Sequence, residues 1–150
     1  APDKPQLVGA MAQGAPEHHR MCRWGPDSHV PPRAPHIMET NAVGLLKHGA
    51  ALVERLGKAF FQEVHWARHE IDRLISHQVA TANREAILQA LGIPHDRDFN
   101  TFPYLGNMGT VSLPVTAAIA AERGILERGQ KVAFIGIGSG LNSMMLGWKW

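Results

Sequence analysis

Lys131-Val132-Ala133-Phe134-Ile135-Gly136-Ile137-Gly138-Ser139-Gly140-Leu141 decides the architecture of this chain. Lys131 to Ile137 is strongly apolar and reads as a buried strand. Leu141 to Trp150 reads as a final strand. Only the turn at 138–140 separates the two. A parallel pair needs a long crossover, so these neighbours are expected to be antiparallel. Gly136-x-Gly138-x-Gly140 after a strand superficially suggests dinucleotide binding. That reading requires a following helix and an acidic residue about 20 positions on. Ten residues come after Gly140, which excludes it. A tight turn with backbone N–H groups facing a ligand is what remains.

Upstream, strand-like and helix-like segments alternate, the pattern of a layered α/β domain. Leu7 to Met11 is a short apolar run and reads as a strand. Residues 13–37 are rich in Pro, Gly, His and Arg and read as a long loop. Thr40 suits the N-cap of a helix from about Asn41 to Glu70. Leu45, Leu46, Leu52, Val53, Leu56, Phe60 and Val64 keep helical spacing there. Gly49 and Gly57 on the same helix allow close packing. Leu74 to Val79 reads as a strand ending at His77-Gln78. Asn83 to Leu91 reads as a helix stopped by Gly92 and Pro94. Phe99 to Phe102 reads as a short strand. Ser112 to Arg123 reads as a helix, with Pro114 in its first turn and Gly124 past its end.

The bulk numbers bound the function. With 150 residues, 45% apolar and 19% charged, the chain suits one globular domain with a real core. A net charge of +2 with scattered basic residues gives no basis for nucleic-acid binding. One cysteine, Cys22, excludes an internal disulfide and fits a reducing compartment. No apolar run approaches the ~20 residues of a membrane span. The N-terminal Ala1-Pro2-Asp3-Lys4-Pro5 carries no signal-peptide core. A cytoplasmic protein is therefore expected.

Two side chains stand out beside the glycine turn. His77 sits at the carboxyl end of a strand, where functional groups collect in open α/β sheets. It reads either as a site residue or as a hydrogen-bonded structural histidine. Asn107, thirty positions on, lies in Leu105-Gly106-Asn107-Met108-Gly109. It reads as a turn former or as an amide donor to a developing oxyanion. His65 and His69, four apart on the expected helix, lack a third metal ligand, so no metal site is expected. Cys22 has Arg20 and Arg23 near it but no helix start, which is poor support for a nucleophile.

In the order His, Asn, glycine turn, these residues resemble the C-terminal half of the thiolase-fold condensing enzymes, nearest to β-ketoacyl-ACP synthase III. The matching runs are His77-Gln78-Val79-Ala80, Gly106-Asn107-Met108 and Gly136 to Leu141. Gly124-Ile125-Leu126 and Gly129-Gln130-Lys131-Val132 match the link into the penultimate strand. Phe134 to Asn142 looks closest to the OleA-type branch, which joins two fatty acyl-CoA molecules head to head. The resemblance is strong from about 71 to 150 and weaker from 7 to 70.

The resemblance implies a half-domain over 1–150, with a boundary segment at 1–6. It implies a five-stranded mixed sheet with helices on both faces and an antiparallel last strand. His77 and Asn107 would be catalytic, and the backbone N–H of Ser139 would serve an oxyanion hole. Gly138 and Gly140 would bind substrate, and Met21 and Trp24 in the 13–37 loop would wall an acyl channel. No cofactor is implied, since acyl-CoA or acyl-ACP is itself the substrate. Ala80 replaces the family's Asn and Ala82 a frequent basic residue, both of which point to acyl-CoA. The implied partner is an N-terminal half carrying the nucleophilic Cys, with the complete units paired as a dimer. Two other activities fit the same residues: a non-catalytic supporting half-domain, or acyl transfer to an amine or alcohol.

Overall fold

Apolar strands of opposite polarity meet in the centre of the molecule and dictate everything around them. The computed structural model describes residues 4–26 and 36–150. Strand β5 (Lys131–Gly138) turns back into β6 (Asn142–Lys149), pairing antiparallel from Lys131↔Lys149 to Gly138↔Asn142. Strand β1 (Gln6–Gly14) adds to β6 antiparallel, with a register shift between Leu7 and Gly9. Strand β4 (Arg73–Ser76) adds to the other edge parallel to β5. The main sheet is mixed, in the order β1-β6-β5-β4.

Period-two alternation divides this sheet into two faces. Leu74, Ala133, Ile135 and Met145 pack on one face against helices α1 (Ala42–Glu63) and α2 (Thr81–Leu91). Phe60 and Leu56 of α1 are fully buried there. Ile75 and Val132 pack on the other face against Ala117 and Ala120 of α4 (Ser112–Glu122) and against Leu126. Helices on both faces and the antiparallel last strand are as expected.

Several features differ from the sequence reading for local reasons. Asn41, not Thr40, caps α1, its Oδ1 accepting the Gly44 N–H at 2.9 Å. The helix ends at Glu63 because His65 takes a left-handed backbone, φ 54°. His65 and His69 are therefore not on one helix. The main sheet has four strands rather than five. At the fifth position a single parallel bridge joins Asp98 to Leu74. The expected strand at 99–102 stops there because the Asn100 side chain captures the Phe102 N–H at 3.0 Å. A short helix, α3 (Phe102–Leu105), starts instead.

The expected loop at 13–37 also carries structure. A 3₁₀ turn at Pro16–Met21 leads into a two-stranded hairpin of β2 (Cys22–Pro26) and β3 (His36–Thr40). Partners sixteen residues apart, such as Arg23↔Glu39, leave no local signal in sequence. Pro26 is tolerated because it ends an edge strand. Val30, Pro31, Pro32 and Pro35 lie outside the described residues.

One face of the sheet is only half covered. α4 shields β4 and β5, while Leu7 at 53% and Met144 at 50% exposure stand open over β1 and β6. α4 is apolar on nearly every side, a composition proper to a helix covered all round. On the opposite face the fit is close. A Cβ at Gly57 of α1 would lie 2.6 Å from Cδ2 of the fully buried Leu91 on α2. Gly57→Leu is expected to lower stability by ~1–3 kcal/mol through overpacking, measured as a shift of the urea midpoint. An unchanged midpoint would show that the α1–α2 contact is loose.

Candidate active site

Parallel pairing of β4 and β5 sends both carboxyl ends to one rim. His77 continues that pairing beyond β4, its backbone N–H donating to Ile135 O at 2.9 Å. Among the described residues its half-buried ring makes no hydrogen bond, so it is available to a ligand. Burial holds its pKa below the ordinary histidine value. At neutral pH the ring is uncharged, with one nitrogen donating and one accepting.

The glycine turn closes the same rim. Gly140 takes φ +135°, and a Cβ there would sit 3.0 Å from Nδ2 of Asn142. That Nδ2 donates to Ser139 O at 2.8 Å, which ties the turn down. Ala15 and Leu141 exchange two backbone bonds, 2.8 and 3.1 Å, anchoring the turn to the end of β1. The Ser139 N–H has no partner among the described residues. It is an exposed donor on a fixed frame, between Gly138 and Gly140.

Asn107 reaches the rim by a different route. The 123–130 connection returns the chain from α4 to the start of β5. α4 therefore runs against β5, and its N-terminus lies toward the carboxyl end of the strands. Asn107 sits just before it, after α3. Its Oδ1 accepts the Gly109 N–H at 2.9 Å, which leaves the amide NH₂ free to donate outward. Ser112 Oγ accepts the Met108 N–H at 2.9 Å, holding the loop against α4. Both turn former and donor, the two roles open in sequence, are thus compatible in one residue.

Three of the expected components therefore share one rim: His77, Asn107 and the Gly138-Ser139-Gly140 turn. Met21 and Trp24 extend from the same edge, because β1 runs parallel to β5 and its carboxyl end leads into the 3₁₀ turn. Met21 is partly buried and its O accepts the Asn41 N–H at 2.7 Å. Trp24 lies opposite Met38 on the hairpin and is 69% exposed. Cys22 sits on β2, its Sγ 3.8 Å from Thr40 Oγ1, next to Asn41, the cap of α1. Among the described residues no three His, Cys, Asp or Glu side chains gather as a metal site.

Sequence reasoning missed a buried polar chain flanking His77. Arg84 Nε donates to Asp98 Oδ2 at 2.6 Å, and Ser76 Oγ donates to Asp98 Oδ1 at 3.2 Å. Burial raises the Asp98 pKa, opposed by Arg84 and Ser76. Gln78, 3% exposed, joins the chain through Ser76. The only hint in sequence was a polar residue directly after an apolar strand.

Sheet order, helices on both faces and a donor-lined rim define a half-unit of the thiolase-like fold. Residues 61–150 match the family described as 3-oxoacyl-[acyl-carrier-protein (ACP)] synthase III C terminal, and the chain belongs to that family. It is similar to the acyl-CoA:acyl-CoA alkyltransferase of Shewanella oneidensis, 48% identical over 147 residues, covering 98% of this chain and 42% of that protein. The protein of the same name from Xanthomonas campestris is 32% identical over 149 residues, covering 99% and 41%. A crystal structure of Xanthomonas campestris OleA with bound lauric acid and lauroyl-CoA superposes with a TM-score of 0.87 at 31% identity, covering 100% of this chain and 42% of that one. The synthase III FabH from Xanthomonas oryzae gives 0.86 at 31%, with the same coverage. The chain thus spans about two fifths of the length of these relatives. No described helix is long and apolar enough to cross a membrane.

The shifted pKa of His77 has a stability consequence. Unfolded, the ring titrates at ~6.5; folded, it titrates lower. Between the two values the unfolded chain binds more protons, so stability is full above ~6.5 and is lost as pH falls through that window. An NMR titration should place the His77 midpoint below the ordinary value, and His77→Gln should flatten the stability profile there. A midpoint at or above the ordinary value contradicts the burial argument.

Proposed function

We propose that this chain is the C-terminal catalytic half of a Claisen-condensing acyltransferase that joins two acyl-CoA thioesters into a β-ketoacyl product. The convergence of His77, Asn107 and the Ser139 turn on one rim supports this reading above all. The likeness to proteins named acyl-CoA:acyl-CoA alkyltransferase adds to it.

A thiolate first displaces CoA from one acyl-CoA, forming an acyl-enzyme. The second thioester gives up an α-proton to a base assigned to the cysteine-bearing half, and the resulting enolate attacks the acyl-enzyme carbonyl, expelling the thiolate. Negative charge develops on the carbonyl oxygen of the second thioester. His77, neutral near pH 7, and the Asn107 amide both donate toward that oxygen. The Ser139 N–H donates toward the oxyanion of the acyl-enzyme, with Gly138 and Gly140 giving it access. Cys22 does not match the position of the family's nucleophile, so the nucleophile is assigned to the N-terminal half. That half also covers the open apolar face bearing Leu7 and Met144. The complete enzyme is proposed to work as a cytoplasmic dimer without a cofactor.

Removing one oxyanion donor typically costs ~10²–10³ in rate. With the cysteine-bearing half present, His77→Ala or Asn107→Ala is expected to slow condensation by about that factor while acyl-enzyme still forms. Mass spectrometry of the product separates a new carbon–carbon bond from an amide or ester. Near-normal β-ketoacyl formation by His77→Ala would sink the assignment. Acyl-chain selection is assigned to the Met21–Trp24 segment. Because Trp24 is largely exposed, the channel it walls must be closed by residues beyond those described. Trp24→Ala should shift the preferred chain length in a competition assay, and an unchanged preference rejects that role.

A further inference from the structure

We propose that Gln78 is a positioning residue that sets the placement of Asn107 relative to His77, an inference that rests on the rim acting as proposed above. His77 belongs to the end of a strand, and Asn107 to a loop beyond α3. The two are separated by thirty residues, and their relative placement needs a tie between the strand end and the start of α3. Gln78 supplies one. Its Nε2 donates to Ser76 O at 2.9 Å and lies 3.4 Å from Ser76 Oγ. Its Oε1 accepts the Phe102 N–H at 3.3 Å. Phe102 opens α3, whose last residue, Leu105, is two positions before Asn107.

The Phe102 N–H is shared with Asn100 Oδ1, which is nearer at 3.0 Å. That second contact spans two residues and moves with the loop wherever it goes. The Gln78 contact spans twenty-four and ties the first residue of α3 to the strand end, past the Leu74 and Ser76 contacts that hold Asp98 and Phe99. Ser76 and Gln78 share one side of the extended chain, so His77 between them falls on the other. The strand end is fixed from behind while its histidine faces the rim. Ser76 is held in turn by Asp98 and Arg84. Just before Phe102, a hydroxyl contact of 2.7 Å between Thr101 and Thr116, both fully buried, joins the same segment to α4. A buried amide is costly to leave unpaired, and here every group of Gln78 is spent on this one junction.

The test uses the assembled enzyme with Gln78→Leu, which removes both contacts, and Gln78→Glu, which keeps the acceptor for Phe102. Displacing a catalytic group by about 1 Å costs on the order of 10²-fold, so Gln78→Leu should lower kcat for condensation ~10–10²-fold. KM and the acyl-enzyme burst should stay near normal, because the Ser139 turn is anchored separately at Ala15. Gln78→Glu should recover most of the loss. In an Asn107→Ala background the Gln78→Leu effect should largely vanish, the non-additivity expected of residues acting as a unit. Full additivity, or an equal loss in the acyl-enzyme burst, overturns the positioning role while leaving the His77 assignment standing. A second readout needs no turnover. In amide NMR spectra of the protein, Gln78→Leu should speed exchange at Phe102 and move the Asn107 side-chain NH₂ resonances, with α1 amides unchanged. Unmoved Asn107 resonances overturn the inference whatever the activity shows.

Discussion

The parallel pairing of β4 with β5 is the constraint on which the rest depends. Four residue pairs, Arg73↔Val132 to Ser76↔Ile135, align two strands almost sixty residues apart in sequence. Both carboxyl ends then emerge together, and the residues just past each strand come to lie side by side. After β4 that is His77; after β5 it is the glycine turn. Lys131 fixes the start of the register, donating its backbone N–H to Asp72 Oδ2 at 2.7 Å while its O accepts the Asp72 N–H at 2.9 Å. A slip of one residue would turn His77 to the opposite side of the sheet.

Packing and chemistry are divided between the two faces. α1 and α2 bury the aliphatic residues of one face to completion, with Gly57 letting the two helices approach. The other face is finished only over β4 and β5. There α4 does two tasks at once, covering Ile75 and Val132 and presenting the Asn107 loop from its N-terminus. Its apolar outer side, and the open Leu7 and Met144, are the surface that the proposed complementary half would cover. Buried apolar area drives folding, so the complement stabilises this half as well as supplying its nucleophile under the proposed function.

Much of the candidate site was legible in sequence. The helix from Ala42, the helix over 112–122, the β5–turn–β6 hairpin and its antiparallel sense all stem from apolar periodicity and a short turn. His77, Asn107 and Ser139 were visible as residue types beside strand ends and glycines. The hairpin at 22–40 was not, because its pairing is non-local and its prolines hide the alternation. The single bridge at Asp98 replaced a full strand because Asn100 bonds its own backbone and Asp98 turns inward to Arg84. Gln78 read as a polar neighbour of His77, since its partner Phe102 is twenty-four residues away.

Local chemistry, then, was written in the sequence: which segments are helical or extended, where glycines permit a turn, which side chains can donate to an oxyanion. Periodicity and turn preference act over a few residues and leave a mark in every window of the chain. The tertiary structure alone decided which of those groups meet. The His77 pKa falls below the ordinary value only because burial removes its water. The Asn107 loop lies at the rim only because α4 packs against β4 and β5. Their shared rim exists only because β4 and β5 pair in parallel. Each of these depends on atoms brought together from distant positions, and no local pattern encodes such a distance.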